Sequence, residues 1–474
     1  MEKDTCEKEI KGMTTTEQHP FIRLLGGVCY ITVLFYLFHL FFPSDMIILI
    51  SSILAAILLG STLFFVSTFS RIIVIILVTV GGFCFYVEGT PLDDALLGFG
   101  RNINLLSLFL LIPLIGTFMS IAGYLSLLKE QVQKRQKEGG ASHPYRLSFL
   151  LTILIGVLLN FGSMPIVKKI VEGSFSSYQD QKLTLTIMRA FGFCIFWSPY
   201  FVNVGIVLVL FDLSWFEIGG YGFAMGLVYI VVCLLMFKQI SFPNDPIIEK
   251  ELQFDESVDS GRSLMPLFSF SLVLIVLSFS LDILLEVNML TIVCVLALVL
   301  PFFWAIIAKS LSDYLLAVSE QVQSSFFRLK NEIAVFISAG FFSVAIAETE
   351  IGAYGSAFLY EASFGSVFIL SYLLIAFAIL LAQIGVHPVI IVSGIGSTLT
   401  PSTFGVSSEY LALVMIIAWA LATQLSPFSG QVLMASRLIN KSTGVIVKQN
   451  VRFIAILSIL LTAIVYCFHL FGWV

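Results

Sequence analysis

Gln383-Ile384-Gly385-Val386-His387-Pro388-Val389-Ile390 places a glycine and a proline inside a long apolar run. The same pattern occurs once earlier, as Asn160-Phe161-Gly162-Ser163-Met164-Pro165-Ile166-Val167, 223 positions upstream. Each copy reads amide, apolar residue, Gly, two variable residues, Pro, two β-branched residues. Glycine frees the backbone and proline removes a donor, so each copy predicts two helical arms joined by a tip.

The surroundings of these tips set the class. Of the 474 residues, 58% are hydrophobic and 12% charged, about half the charge of a soluble globular chain. Apolar segments fall at about 24–42, 45–66, 71–87, 103–126, 147–167, 189–211, 218–237, 265–285, 289–308, 333–355, 365–400, 406–436 and 453–473. Blocks of about 20 residues match a helix crossing ~30 Å of hydrocarbon. They predict an all-α polytopic membrane protein embedded in a lipid bilayer. The net charge of −5 with no basic tract gives no sign of nucleic acid. The seven cysteines form no CxxC and no Cys/His cluster, so no metal or other cofactor is expected. Residues 1–23, with four basic and five acidic residues, read as a cytoplasmic tail before an uncleaved anchor.

Charge placement predicts the topology. If 147–172 and 365–400 enter the membrane and return, eleven spans remain, with the N-terminus inside and the C-terminus outside. Of the 25 Lys and Arg residues, only Arg101 then faces out, as the positive-inside rule requires. Arg189 falls at the inner end of its span, and Asp45, Glu88, Asp212, Glu217, Glu286 and Glu361 fall outside. Glu348 and Glu350 lie near the outer end of theirs. Residues 238–264 read as a solvated linker. The expected domains are 1–43 (tail and first helix), 44–237 (repeat 1), 238–264 (linker) and 265–474 (repeat 2).

Both repeats read span, span, span, hairpin, span, span. Gly116-Thr117-Phe118-Met119-Ser120 matches Gly340-Phe341-Phe342-Ser343, offset by 224. Ser198-Pro199-Tyr200-Phe201-Val202-Asn203-Val204 matches Ser426-Pro427-Phe428-Ser429-Gly430-Gln431-Val432, offset by 228. One repeat starts outside and the other inside, which makes them inverted. In secondary transporters, interrupted segments at corresponding positions mark the binding site.

The chemistry follows from these interruptions. Proline at 199 and 427 must break its span, and a preceding serine is a good N-cap. Ser198-Pro199 and Ser426-Pro427 therefore predict the starts of two half-helices whose free N–H groups can hold an anion and whose released carbonyls suit Na⁺. The candidate binding residues are Asn160, Gly162, Ser163, Ser198, Pro199, Asn203, Gln383, Gly385, His387, Ser426, Pro427 and Gln431. His387 is the one ionisable side chain at either tip and is read as a proton carrier, an anion partner or a structural histidine. The small residues of Ser393-Gly394-Ile395-Gly396-Ser397-Thr398 are assigned to close packing of the returning arm.

With these motifs the chain resembles the ion transporter superfamily, and within it the divalent anion/sodium symporter type. The resemblance covers about 44–474. The family's Ser-Asn-Thr tip signature is absent, and its Thr-Pro-Pro-Asn-like break looks like Ser198–Asn203 and, more weakly, Ser426–Gln431. The resemblance implies a homodimer in which hairpins and broken helices move as an elevator. The expected function is secondary active transport of a small anionic, carboxylate-like solute coupled to Na⁺ or H⁺ in the cytoplasmic membrane. A cation/proton antiporter, a tripartite permease subunit and a non-transporting sensor or scaffold are the alternatives. No cluster of His, Asp or Glu near an interface points to an enzyme.

Overall fold

The computed structural model describes residues 20–137, 143–249, 263–285, 287–347, 349–396 and 398–474, with side chains omitted for 351–353. The expectations for the tail before residue 20, for Glu286, Glu348 and Ser397, and for linker residues 250–262 lie outside the described residues. The protein is a multi-pass helical membrane protein. Eleven described helical stretches are long and apolar enough to cross a membrane. In Pro20–Phe41, Ile22, Leu25, Cys29 and Val33 are buried while Phe21, Leu24, Ile31 and Phe38 are exposed. A helix apolar on its exposed face too is suited to lipid.

The chain forms two compact units. The first is built from the described residues of 1–117 and 297–352. Here Pro20–Phe41 packs on Leu311–Arg328 and Asp45–Thr62, and Lys330–Ala347 packs on Thr68–Glu88. A Cβ at Gly26 would stand 2.2 Å from the Val322 carbonyl oxygen, so glycine is what lets those two backbones touch. Tyr30 donates to Leu110 O (3.0 Å), and Thr117 donates to Gln321 Oε1 (2.6 Å).

The second unit, 118–296 with 353–474, carries both tips and both proline breaks. The first hairpin has arms Pro144–Leu159 and Ser163–Glu172. Length and hydropathy alone would count 144–172 as one span. The arms nevertheless pack on each other, and a Cβ at Gly156 would lie 3.5 Å from Ser163 Oγ. In a straight helix those residues would be about 10 Å apart along the axis, so the chain turns back. Asn160 makes the turn at φ +50°. The second hairpin has arms Val367–Gln383 and Pro388–Gly396, with Gly385 at φ +99° in its tip. Ser366 caps its first arm by accepting from Ile369 N.

The same packing scheme occurs twice in this unit. Pro144–Leu159 packs on Asp180–Ile195, which packs on Trp215–Leu235; Val367–Gln383 packs on Ser408–Leu425, which packs on Thr443–Leu470. The half-helices cross over. Val202–Phe211 lies on Pro388–Gly396 and Ser408–Leu425, and Gly430–Ile439 lies on Ser163–Glu172 and Asp180–Ile195. The second broken helix is the centre of the unit: 89% of its apolar window is buried, against 22% for Met265–Leu284.

Four boundaries differ from the sequence reading. The first broken helix starts at Asp180, not 189, so Arg189 lies inside it and is 4% exposed. Polar Asp180, Gln181 and Lys182 hid this start from a hydropathy reading. Leu311–Arg328 is an amphipathic helix where a loop was expected, and it lacks the uniform apolarity of a span. The 333–355 span ends at Ala347, and a further helix, Ile351–Ala362, follows and meets the second hairpin at 109°. The linker is docked at its start. Ile247–Glu249 pairs antiparallel with Ser177–Gln179, and Asp245 accepts from Gln181 N (3.1 Å) and Lys182 N (3.0 Å). An acidic residue at these first-turn N–H groups satisfies the open end of the helix, which a solvated linker would not do.

Candidate functional site

The two breaks share one local structure. Ser198 Oγ accepts from Tyr200 N (3.3 Å), and Ser198 O accepts from Phe201 N (3.2 Å). Ser426 Oγ accepts from Phe428 N (3.2 Å), and Ser426 O accepts from Ser429 N (3.2 Å). Both serines also close the helix behind them, donating to Cys194 O and Ala422 O. They are therefore not N-caps, contrary to the sequence reading. The ring of Pro199 or Pro427 disfavours helical backbone at the serine, and Ser426 sits extended at ψ 122°. A turn closes first, and the half-helices start later, at Val202 and Gly430.

That delay puts Phe201 and Ser429 at the cap positions, and the two breaks diverge there. Ser429 accepts from Val432 N (3.2 Å) and donates to Thr423 O (2.5 Å). Phe201 can do neither. Its break is closed instead by Asn203 Nδ2, which donates to Ile195 O (2.6 Å), the equivalent carbonyl. The N–H groups of Val202, Asn203 and Val204 find no acceptor among the described residues, although all three residues are buried. Because Ser429 does the closing in the second break, Gln431 is released to reach across, and its Nε2 donates to Met188 O (2.8 Å) on the first broken helix. Its Oε1 is buried without a donor.

The tips join these breaks. Gln383 Nε2 donates to Leu425 O (2.6 Å), and Ser426 Oγ donates to Ala382 O (2.7 Å), a reciprocal clamp between the second hairpin and the second break. The first tip reaches the same break from the other repeat: a Cβ at Gly430 would lie 3.5 Å from the Phe161 ring. Phe161 also packs on Phe191, and Phe191 on Phe201 at the first break (5.1 and 5.3 Å between centroids). Asn160 Oδ1 accepts from Phe161 N (2.8 Å), and its carbonyl accepts from Ser163 Oγ (2.7 Å). Gly162 is exposed, Ser163 and Pro199 buried, and Pro427 half-buried. His387 Nδ1 accepts from Val389 N (3.2 Å), and Nε2 has no partner among the described residues. The ring thus stands with Nδ1 as the acceptor.

The amides of Asn203, Gln383 and Gln431 are thus already engaged with carbonyls. The expected cation-holding carbonyls, Ile195 O, Thr423 O and Leu425 O, each accept one side-chain hydrogen and keep a second lone pair. Sequence reasoning missed a buried polar cluster behind the breaks. Arg189 Nε donates to Asn450 Oδ1 (3.0 Å), Asn450 Nδ2 to Gln424 O (3.3 Å), and the Tyr229 hydroxyl lies 2.8 Å from Arg189 O and 2.9 Å from Gln424 Oε1. Gly192 makes room for that hydroxyl, since a Cβ there would lie 2.2 Å from it. The sequence signal was the polar heptad Gln181–Ile187, which is too hydrophilic for lipid yet lies between apolar blocks.

No family model matches the chain, and no curated protein does. Among solved structures, the fold is similar to that of the Alcanivorax borkumensis YdaH transporter, whose crystal structure has been described as an unusual topology. The TM-score is 0.55 at 12% sequence identity, over 79% of this chain and 86% of that one. At this identity the likeness is one of fold.

Proposed function

We propose that the protein is a secondary active transporter of a small, carboxylate-like anion, driven by Na⁺ or H⁺ through elevator-type alternating access. The observation that carries this reading is the start of the first half-helix. The N–H groups of three successive buried residues, Val202, Asn203 and Val204, have no acceptor among the described residues. Unpaired donors at a helix N-terminus favour an anion without any buried Lys or Arg. Half-helix ends and opened carbonyls are also how transporters hold a solute and its coupling ion near the midplane. The fold likeness to a transporter supports the same class. In this proposal the unit carrying both hairpins and both breaks moves as a body, within a homodimer of the cytoplasmic membrane, with the N-terminus inside and the C-terminus outside. The finer placement is in the ion transporter superfamily, on the motifs of the tips and breaks.

The test is uptake into proteoliposomes of radiolabelled dicarboxylates and monocarboxylates, with a Na⁺ gradient, a pH gradient or neither. Paired replacement of Asn160 and Gln383 by Ala is expected to abolish uptake while the protein still reconstitutes. Intact uptake in that variant would remove the tips from the site. Failure of every anion under both gradients would remove the function.

A further inference from the structure

A groove of about 700 Å³ opens between Pro144–Leu159, Asp180–Ile195 and Trp215–Leu235, away from the tips and breaks. Its walls change character along their length. Arg146 precedes Leu150 and Ile153 on one helix; Lys238 follows Leu234 and Ile230 at the end of another. Leu150 and Leu234 are 59% and 61% exposed, apolar surface that faces acyl chains in a bilayer. Among the described residues, no Asp or Glu lines the groove.

Arg189 also lines it and is a cation without a counter-ion. Its Nε and Nη2 donate to Asn450 Oδ1 and Gln449 O, and its guanidinium stacks 4.2 Å from the Phe453 ring. Its Nη1 is buried and has no acceptor, and no carboxylate pairs with it among the described residues. A buried cation left this way is costly unless an anion completes it. Its depth is set by Gln449 and Asn450, which neighbour the exposed Lys448 and Arg452 on the same helix. That is the level of headgroups rather than of the hydrocarbon centre.

We propose that this groove binds one anionic phospholipid of the surrounding bilayer. The phosphate sits between Arg146 and Lys238 with Arg189 behind it, and an acyl chain lies along Leu150, Ile153, Ile230 and Leu234. Basic pockets between transmembrane helices hold such headgroups by charge, and the apolar wall adds the chain.

Native mass spectrometry of the full chain released from micelles, titrated with dioleoyl-phosphatidylglycerol, tests the assignment. Wild type is expected to show one saturable adduct that dioleoyl-phosphatidylcholine does not form. Arg146→Ala with Lys238→Ala is expected to weaken it on the order of 30-fold, from two basic contacts near the surface. The control Lys134→Ala with Arg135→Ala removes equal charge outside the groove and is expected to leave the adduct unchanged. Leu150→Trp with Leu234→Trp fills the apolar wall, keeps the cations, and is expected to weaken the adduct also. Equal binding by wild type and both groove variants, or equal loss in the control, overturns the proposal. So does displacement of the lipid by an equimolar amount of glycerol phosphate, which would assign the groove to a soluble phosphate.

Discussion

Replacing Gly222 by alanine sets two effects against each other at the back of the first break. Gly222 lies in Trp215–Leu235, and a Cβ there would stand 2.4 Å from Phe196 O, 3.3 Å from Phe196 C and 3.4 Å from Trp197 Cα. All three are backbone atoms, so no side chain can rotate away. Ordinary contact begins at 3.4 Å, so the helix or the break must move by about 1 Å. Overpacking of this kind costs ~1–3 kcal/mol. Helix propensity pulls the other way, because Gly to Ala inside a helix gains ~1 kcal/mol. Gly220, two residues earlier in the same helix, is exposed and would meet nothing within 4 Å. Gly220→Ala should therefore show the propensity gain alone, and Gly222→Ala a net loss. The propensity gain is common to both, so the two variants should differ by the overpacking cost alone, roughly 1–3 kcal/mol. Apparent melting temperatures in one detergent, read by a thiol-reactive dye or by light scattering, compare them directly. A Gly222→Ala protein that melts at or above Gly220→Ala would show that the backbone contact does not hold the break in place.

Two further substitutions probe how the second unit is held together. Asp245→Ala removes the acceptor for Gln181 N and Lys182 N and should cost ~1–2 kcal/mol, with Asp245→Asn recovering part; melting of all three proteins checks it, and an unchanged alanine variant would mean that water replaces the carboxylate. Lys168, 5% exposed, pairs with Asp180 (2.8 Å) and Glu172 (3.6 Å) and donates to Leu438 O. Lys168→Met should cost ~1–3 kcal/mol, below the 3–5 of a fully buried pair, because both carboxylates are partly exposed and can hydrate. Adding Asp180→Asn should restore part of the loss, and a wild-type melting temperature for Lys168→Met alone would refute the role.

The hairpins were legible because glycine and proline interrupt an apolar run in so few ways. Gly385 takes the positive φ that its turn requires, but in the first tip Asn160 takes it and Gly162 stays at φ −61°. The proline breaks were legible for the same reason, but their caps were not. Which residue ends up at the cap depends on a turn that forms ahead of the helix, and Phe201 gives no polar signal at all. The starts of helices at Asp180 and Leu311 were lost because hydropathy detects lipid-facing surface, and these helices bury polar residues or lie amphipathic. Arg189 was read as a span end for the same reason, whereas it lies within Asp180–Ile195 and is buried against Asn450, Gln449 and a phenyl ring. Crossed partners such as Gln431 with Met188 leave no local pattern, since the Gln431 side chain is held by a backbone carbonyl 243 positions away.

Those crossed contacts impose a schedule on synthesis. Lys168 meets Leu438 across 270 positions, and Met188 meets Gln431 across 243. At ~5–20 residues per second, the first hairpin and the first half-helix wait on the order of 10–50 s for the segments that cover them. During that interval the opened backbone near Asn160 and Phe201 faces lipid or the insertion machinery, where unpaired polar groups are penalised. The first half of the chain is therefore the part that depends on being sheltered while the second half is made.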